Sequence, residues 1–115
     1  MKSYTIEYEL EEYDVWVGEN ATDNFQIISD ADQNDLWFHL DQFSSPHVIL
    51  RNPNNLKRNK IPKQLINSAA ELCKLHSRFK TVSKKIGIIY TEVKNVKKTK
   101  VVGQVVTRKT TKIMI

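Results

Sequence analysis

Asp35-Leu36-Trp37-Phe38-His39-Leu40, followed after a short break by Ser44-Ser45-Pro46-His47-Val48-Ile49-Leu50-Arg51, is the stretch on which the fold turns. With a period of two, Leu36, Phe38 and Leu40 share one face, and Asp35, Trp37 and His39 share the other. The first face suits a core. The second is expected to stand outward, where an indole and an imidazole can meet a ligand. Residues 47–51 have the β-branched and aliphatic content of a second strand, and Ser44-Ser45-Pro46 supplies turn residues, so a hairpin is expected. With Asp35 opposite Arg51, Trp37 faces Ile49 and His39 faces His47, while Leu36 and Phe38 share the other face with Leu50 and Val48. A loop of this length does not fix that register, and a slip of one residue turns alternate side chains over.

Outward from this hairpin the chain reads as short, mostly local elements. Residues 4–10 alternate as a strand, Glu11-Glu12 suit a turn, and residues 14–17 form a second strand ending at Gly18. Asn20 is placed to cap a short helix, with Asp23 in its first turn and Phe25, Ile27 and Ile28 available for burial. A polar segment, 30–34, precedes the hairpin, and Asn52-Pro53-Asn54-Asn55 opens a surface loop after it. Pro62 suits the first position of a longer helix, in which Leu65, Ile66, Ala69, Leu72, Cys73, His76 and Phe79 recur at intervals of three and four. Residues 86–90 are expected to form an internal strand, and 103–107 and 112–115 two more around a polar turn. The sum is α+β: a mostly antiparallel sheet with one long helix and a short amino-terminal helix packed on it.

At 115 residues the chain fits a single domain spanning 1–115. Cys73 is the only cysteine, and no signal peptide or long apolar run occurs, which points to an intracellular, cytoplasmic protein without a membrane partner. The net charge of +5 hides a strong asymmetry. Residues 1–50 hold one basic and 11 acidic side chains, whereas residues 51–115 hold 17 basic and two acidic ones. The acidic half can lie against the basic half. Seventeen cations nevertheless exceed what eleven carboxylates cover, and phosphate backbones are the usual partner of the remainder.

Trp37 has two readings, a cover for the sheet edge or a platform on which an unpaired base stacks beside His39. His39, His47 and Asp35 also have the chemistry of a metal site or an acid–base pair, but zinc wants three or four ligands and no second cluster supplies them. Asp35 suits a supporting role, holding an imidazole or Arg51 in place. No nucleophile elbow or phosphate-cradling glycine loop is visible, so neither a catalytic residue nor a cofactor is expected. Lys94, Lys97, Lys98 and Lys100 are expected on one side of a turn or short helix, with Lys84 and Lys85 upstream. They read either as a solvated face or as phosphate contacts. Lys57, Arg58, Lys60 and Lys63 form a second, less specific basic group. Gly18 and Asn20 are expected to shape a turn rather than touch a ligand.

These residues resemble the signature of the NFACT-R domain family. Its Asp-x-Trp-x-His and Ser-x-His-Val motifs are matched by Asp35, Trp37, His39, Ser45, His47 and Val48. Val17-Gly18-Glu19-Asn20 with Asn24 is similar to its Val-Gly-x-Asn-x-x-x-Asn element, and Ser68-Ala69-Ala70 through Ser77 to its Ala-rich helix ending in serine. Tyr90-Thr91 to Lys97-Lys98 and Gly103 complete the order. The chain departs from the pattern at Pro46 and in a shortened segment between Lys100 and Gly103. It is nearest to the stand-alone eukaryotic members, whose long coiled coil has no counterpart here. The resemblance implies a non-catalytic RNA-binding module acting on tRNA or rRNA, at the ribosome, in translation or its quality control. Ser45, His47 and Arg51 would then join Trp37, His39 and the lysines in binding. DNA as a ligand, or a protein-interaction adaptor using the acidic half and the exposed aromatics, are the competing readings.

Overall fold

A computed structural model describes all 115 residues. In chain order the elements are β1 (Lys2–Tyr8), β2 (Glu11–Val17), α1 (Ala21–Asp30), β3 (Leu36–Leu40), β4 (Val48–Leu50), α2 (Lys63–Leu75), β5 (Gly87–Glu92), β6 (Val96–Lys98), β7 (Val105–Thr107) and β8 (Thr111–Met114). Six strands form one antiparallel sheet in the order β1-β2-β4-β3-β5-β8, and β6 pairs with β7 as a separate ribbon. The architecture is α+β, as the sequence predicts.

The central hairpin adopts the predicted register, with Leu36 opposite Leu50, Trp37 opposite Ile49 and Phe38 opposite Val48. Its other side differs from expectation. Trp37 is only 1% exposed, so the predicted outward indole is inside the protein. The sheet is covered on both faces. On one, α2 packs Leu65, Ile66, Ala69, Ala70 and Cys73 against Leu36, Phe38, Leu40, Val48 and Leu50. On the other, α1 lays Ile27, Ile28 and Ala31 over Trp37 and Ile49, with Val93 closing the side. A central strand buried on both faces reads as a nearly continuous apolar run, which is what Leu36–Leu40 and Val48–Leu50 are. An indole hides roughly 150–250 Å² of surface, and Trp37 is the largest fully buried side chain under α1, so burial outweighs display.

Local boundaries shift for identifiable reasons. The first hairpin turns at Glu9-Leu10, not Glu11-Glu12; both turn residues have positive φ (49° and 68°), and β2 therefore starts at Glu11. Asn20 caps α1 as predicted, its Oδ1 accepting the Asp23 N–H at 2.8 Å. Helix α2 begins after Pro62 and ends at Leu75, before the predicted Phe79. His76 instead meets the Tyr4 hydroxyl through Nε2 at 2.7 Å, tying the helix end to β1. Ala69, Ala70 and Cys73 are fully buried, as close helix-to-sheet contact requires. Burial pushes the Cys73 thiol up to about 12, which leaves it inert. No helix is long and apolar enough to cross a membrane.

Candidate functional site

At the end of the sheet where β2 and β3 finish and β4 begins lies a cleft of about 510 Å³. Segments far apart in sequence build it: the turn after β2 with the start of α1, the end of β3, the β3–β4 loop, the end of α2, and the β6–β7 tip at residues 101–104. Gly18, Asn24, His39, Ser45, His47 and Gly103 all line it.

Its floor is a chain of hydrogen bonds. The Trp37 indole donates from Nε1 to Nδ1 of His47 at 3.1 Å, and since an indole nitrogen only donates, the neutral imidazole carries its proton on Nε2. Burial first, and the neighbouring His39 second, push His47 down to about 4, against a backbone hydrogen bond at Gly103 that acts the other way. The ring is therefore neutral near pH 7. The His47 backbone N–H donates to Asn24 Oδ1 at 3.2 Å, and its carbonyl accepts from Gly18 N–H at 2.9 Å. A Cβ at Gly18 would lie 1.9 Å from Asn24 Oδ1, so only glycine admits this side chain. Gly18 and Asn24 thus set the cleft wall, beyond the turn-shaping role expected of Gly18.

His39 covers the indole, its ring stacked on Trp37 at 5.6 Å and 13° and edge-on to His47 at 5.2 Å. Its Nδ1 lies 2.7 Å from the Leu40 carbonyl and must donate there, which leaves Nε2 without a protein partner in a ring that lines the cleft. Burial lowers its pKa. Ser45 closes the loop by accepting the Leu40 N–H and donating to the Pro46 carbonyl, each at 3.0 Å. Two residues that the sequence did not single out stand at the rim. Arg78 holds its guanidinium 5.1 Å from the Phe43 ring and 5.2 Å from Phe79, and Phe43 is 45% exposed. Trp37 hides its rings beneath α1 and His39. The exposed aromatic ring near this end is Phe43, which lies beside the cleft-lining Arg78.

The other predicted residues separate. Asp35 is 1% exposed and accepts from the backbone N–H of Asp32 at 2.9 Å and of Asn52 at 2.7 Å. It also pairs with Arg51 Nε at 2.7 Å, a contact held by charge without an aligned N–H. Arg51 lies over Trp16 at 4.3 Å and pairs with Asp32 too, so this expected RNA contact is spent on tying two loops together at the opposite end of the sheet. The lysines do not share one side. β6 is a strand, so Lys97 and Lys98 alternate, and Lys98 reaches back over Phe25 and Ser29 of α1. Lys94 lines a different cleft altogether. Lys100 stands exposed beside the tip, and Lys84 and Lys85 stand exposed before β5. No group of three His, Cys, Asp or Glu side chains could hold a metal ion.

A sequence model of the family described as "NFACT protein RNA binding domain" matches residues 2–113. Coiled-coil domain-containing protein 25 of Mus musculus is 34% identical over 87 residues, covering 76% of this chain and 42% of that protein. Its Dictyostelium discoideum homolog is 32% identical over 88 residues, covering 76% and 43%, and Protein JLP2 of Saccharomyces cerevisiae is 35% identical over 68 residues, covering 56% and 33%. The chain therefore spans less than half the length of these relatives. Among solved structures, the C-terminal part of the fibronectin/fibrinogen-binding protein from Streptococcus suis superposes with a TM-score of 0.78 at 22% identity, covering 90% of this chain and 41% of that one. That likeness is one of fold.

Proposed function

This chain belongs to the NFACT RNA-binding domain family, a family of nucleic-acid-binding modules, and on that premise we propose that it binds single-stranded or looped RNA without catalysing a reaction. The carrying observation is convergence: motif residues from five separated segments line one cleft, with His39 Nε2 unpartnered and Phe43 with Arg78 at its rim. Bases stack on aromatic rings and on guanidinium planes, and unpaired bases expose hydrogen-bonding edges that an imidazole can read. Phe43 and Arg78 take the stacking role that the sequence assigns to Trp37. Lys97, Lys100, Lys84 and Lys85 would add phosphate contacts around them. The ligand fits tRNA or rRNA, and the setting would be ribosome-associated translation quality control in the cytoplasm.

Labelled single-stranded RNA, tRNA and duplex DNA, titrated at several salt concentrations, test this reading. With about four phosphates engaged, the log–log slope for a single strand is expected near −3. His39→Ala, and Phe43→Ala with Arg78→Ala, are each expected to weaken single-stranded RNA binding by about 1–3 kcal/mol and to spare duplex DNA. Absence of RNA binding at low salt sinks the proposal and leaves the adaptor reading, for which Glu7, Glu9, Glu11, Glu12 and Asp14 stand exposed along the outer hairpin.

A further inference from the structure

A second cleft, of about 860 Å³, lies at the opposite end of β3 and β5, between the loop before β3, the turn at residues 55–59, the start of α2 and the segment after β5. Four cations line it, Lys57, Arg58, Lys63 and Lys94, against one carboxylate, Glu92. Arg58 removes itself and that carboxylate from the balance. Its guanidinium donates to Glu92 Oε1 through Nε at 3.0 Å and also through a terminal nitrogen. Further bonds go to the Thr91 hydroxyl at 2.7 Å, the Thr111 hydroxyl at 3.0 Å and the Lys109 carbonyl at 2.6 Å. The same Glu92 oxygen accepts from Asn95 Nδ2 at 3.1 Å. Lys57, Lys63 and Lys94 appear in none of the molecule's ion pairs. Three ammonium groups are thus gathered around a concave surface whose one carboxylate, Glu92, is already bonded to Arg58.

The backbone that carries them is held in place. Asn52 donates from Nδ2 to the carbonyls of Asn34 and Leu56, at 3.0 and 2.8 Å, and accepts the Leu56 N–H at 3.0 Å. Asn34 donates to Asn55 Oδ1 at 2.6 Å. This network fixes the loop leading to Lys57, so a ligand is not charged the full entropy of ordering it. Only four of the 13 lining residues are apolar, and no exposed aromatic ring offers a stacking surface or an anchor pocket of the kind a protein partner needs.

We propose that this cleft is a second, sequence-independent site for the sugar–phosphate backbone of RNA, in which Lys57, Lys63 and Lys94 neutralise successive phosphates. The inference rests on the RNA-binding reading above and extends it to a part of the surface away from the cleft that His39 and His47 line. The two clefts are separated by about the length of β3, roughly 15–20 Å. One strand of RNA has to cross the sheet to occupy both, so affinity grows with ligand length until both are filled.

The test compares a labelled 20-nucleotide single-stranded RNA on the wild-type chain, on the triple variant K57A/K63A/K94A and on a charge-matched triple, K2A/K80A/K112A. The cleft triple is expected to bind about tenfold more weakly, with a salt slope shallower by about 2, while the control triple changes far less. Unchanged affinity in the cleft triple overturns the proposal, as does an equal loss in both triples, which would mean that net charge alone decides. A polyglutamate chain that binds the wild type but not the cleft triple, with RNA affinity equal in both, assigns the cleft to acidic protein instead. A wild-type chain that binds no RNA overturns the parent reading, and this one falls with it.

Discussion

The two clefts at the ends of β3 are built on opposite principles. At the signature end the polar side chains satisfy one another from the core outward: Trp37 donates to His47, His47 to Asn24, and Gly18 leaves room for Asn24. At the cationic end one arginine consumes the local acceptors and the lysines are left free. The first arrangement makes shape and hydrogen-bond pattern, which discriminate among ligands. The second makes potential, which attracts any phosphate chain. Substitutions at the signature end are therefore expected to damage the fold and the ligand site together, and those at the cationic end the ligand site alone.

Trp37→Ala gives the largest contrast. Removing an indole that is fully enclosed between α1 and the sheet costs about 3–5 kcal/mol, measured as a fall in the urea midpoint at unchanged slope. The lysine triple at the other end is expected to stay within about 0.5 kcal/mol per site, because exposed lysines contribute little to stability. A Trp37→Ala protein that keeps its midpoint but loses single-stranded RNA would restore the outward-facing indole and break the comparison.

Acid divides the two ends next. His47 has its pKa depressed from 6.5 to about 4 in the folded chain, so between those values the unfolded state binds the extra proton. Stability is fully present above about pH 6.5 and is lost as pH falls toward 4, by about 3 kcal/mol in all, with His39 shifting in the same direction. His47→Gln is expected to flatten that limb of the stability curve in chemical denaturation. Salt-dependent binding at the cationic cleft is expected to persist down to the pH at which the fold opens.

How far the sequence discloses this arrangement depends on whether a feature is local. The β3–β4 register is legible because Leu36, Phe38, Val48 and Leu50 must share a face. The Asn20 cap is legible because its partner is three residues away. The direction of Trp37 is not, because Asp35 and His39 on either side make its face look polar. Asp35 is buried all the same, answered by two backbone N–H groups and Arg51 from loops that meet only in the folded chain. The unused signal was α1, whose Ile27 and Ile28 needed an apolar face once α2 had taken the other. Lys94 looks like part of the run ending at Lys100, yet the short 3₁₀ turn Val93–Asn95 reverses the chain between them and sends Lys94 to the far cleft. Arg78 and Phe43 carry no motif, and only the fold brings them to the rim.

The smallest expected effect isolates the signature cleft from its scaffold. Gly103 sits at φ +88°, and a Cβ there would come within 2.9 Å of the Ala21 Cβ, so Gly103→Ala both strains the backbone and lifts the β6–β7 tip off the start of α1. Because that ribbon pairs only with itself, the cost is expected to be about 1–2 kcal/mol and largely confined to the tip. Hydrogen exchange should accelerate at residues 101–104 while the amides of β3 and β5 keep their protection. With the wall displaced, affinity for single-stranded RNA is expected to fall severalfold. The salt slope supplied by Lys57, Lys63 and Lys94 is expected to stay where it was, because those lysines lie at the other end of the sheet. A slope that falls together with the affinity would mean that the tip and the cationic cleft hold the same phosphates, and that the two ends form one continuous site.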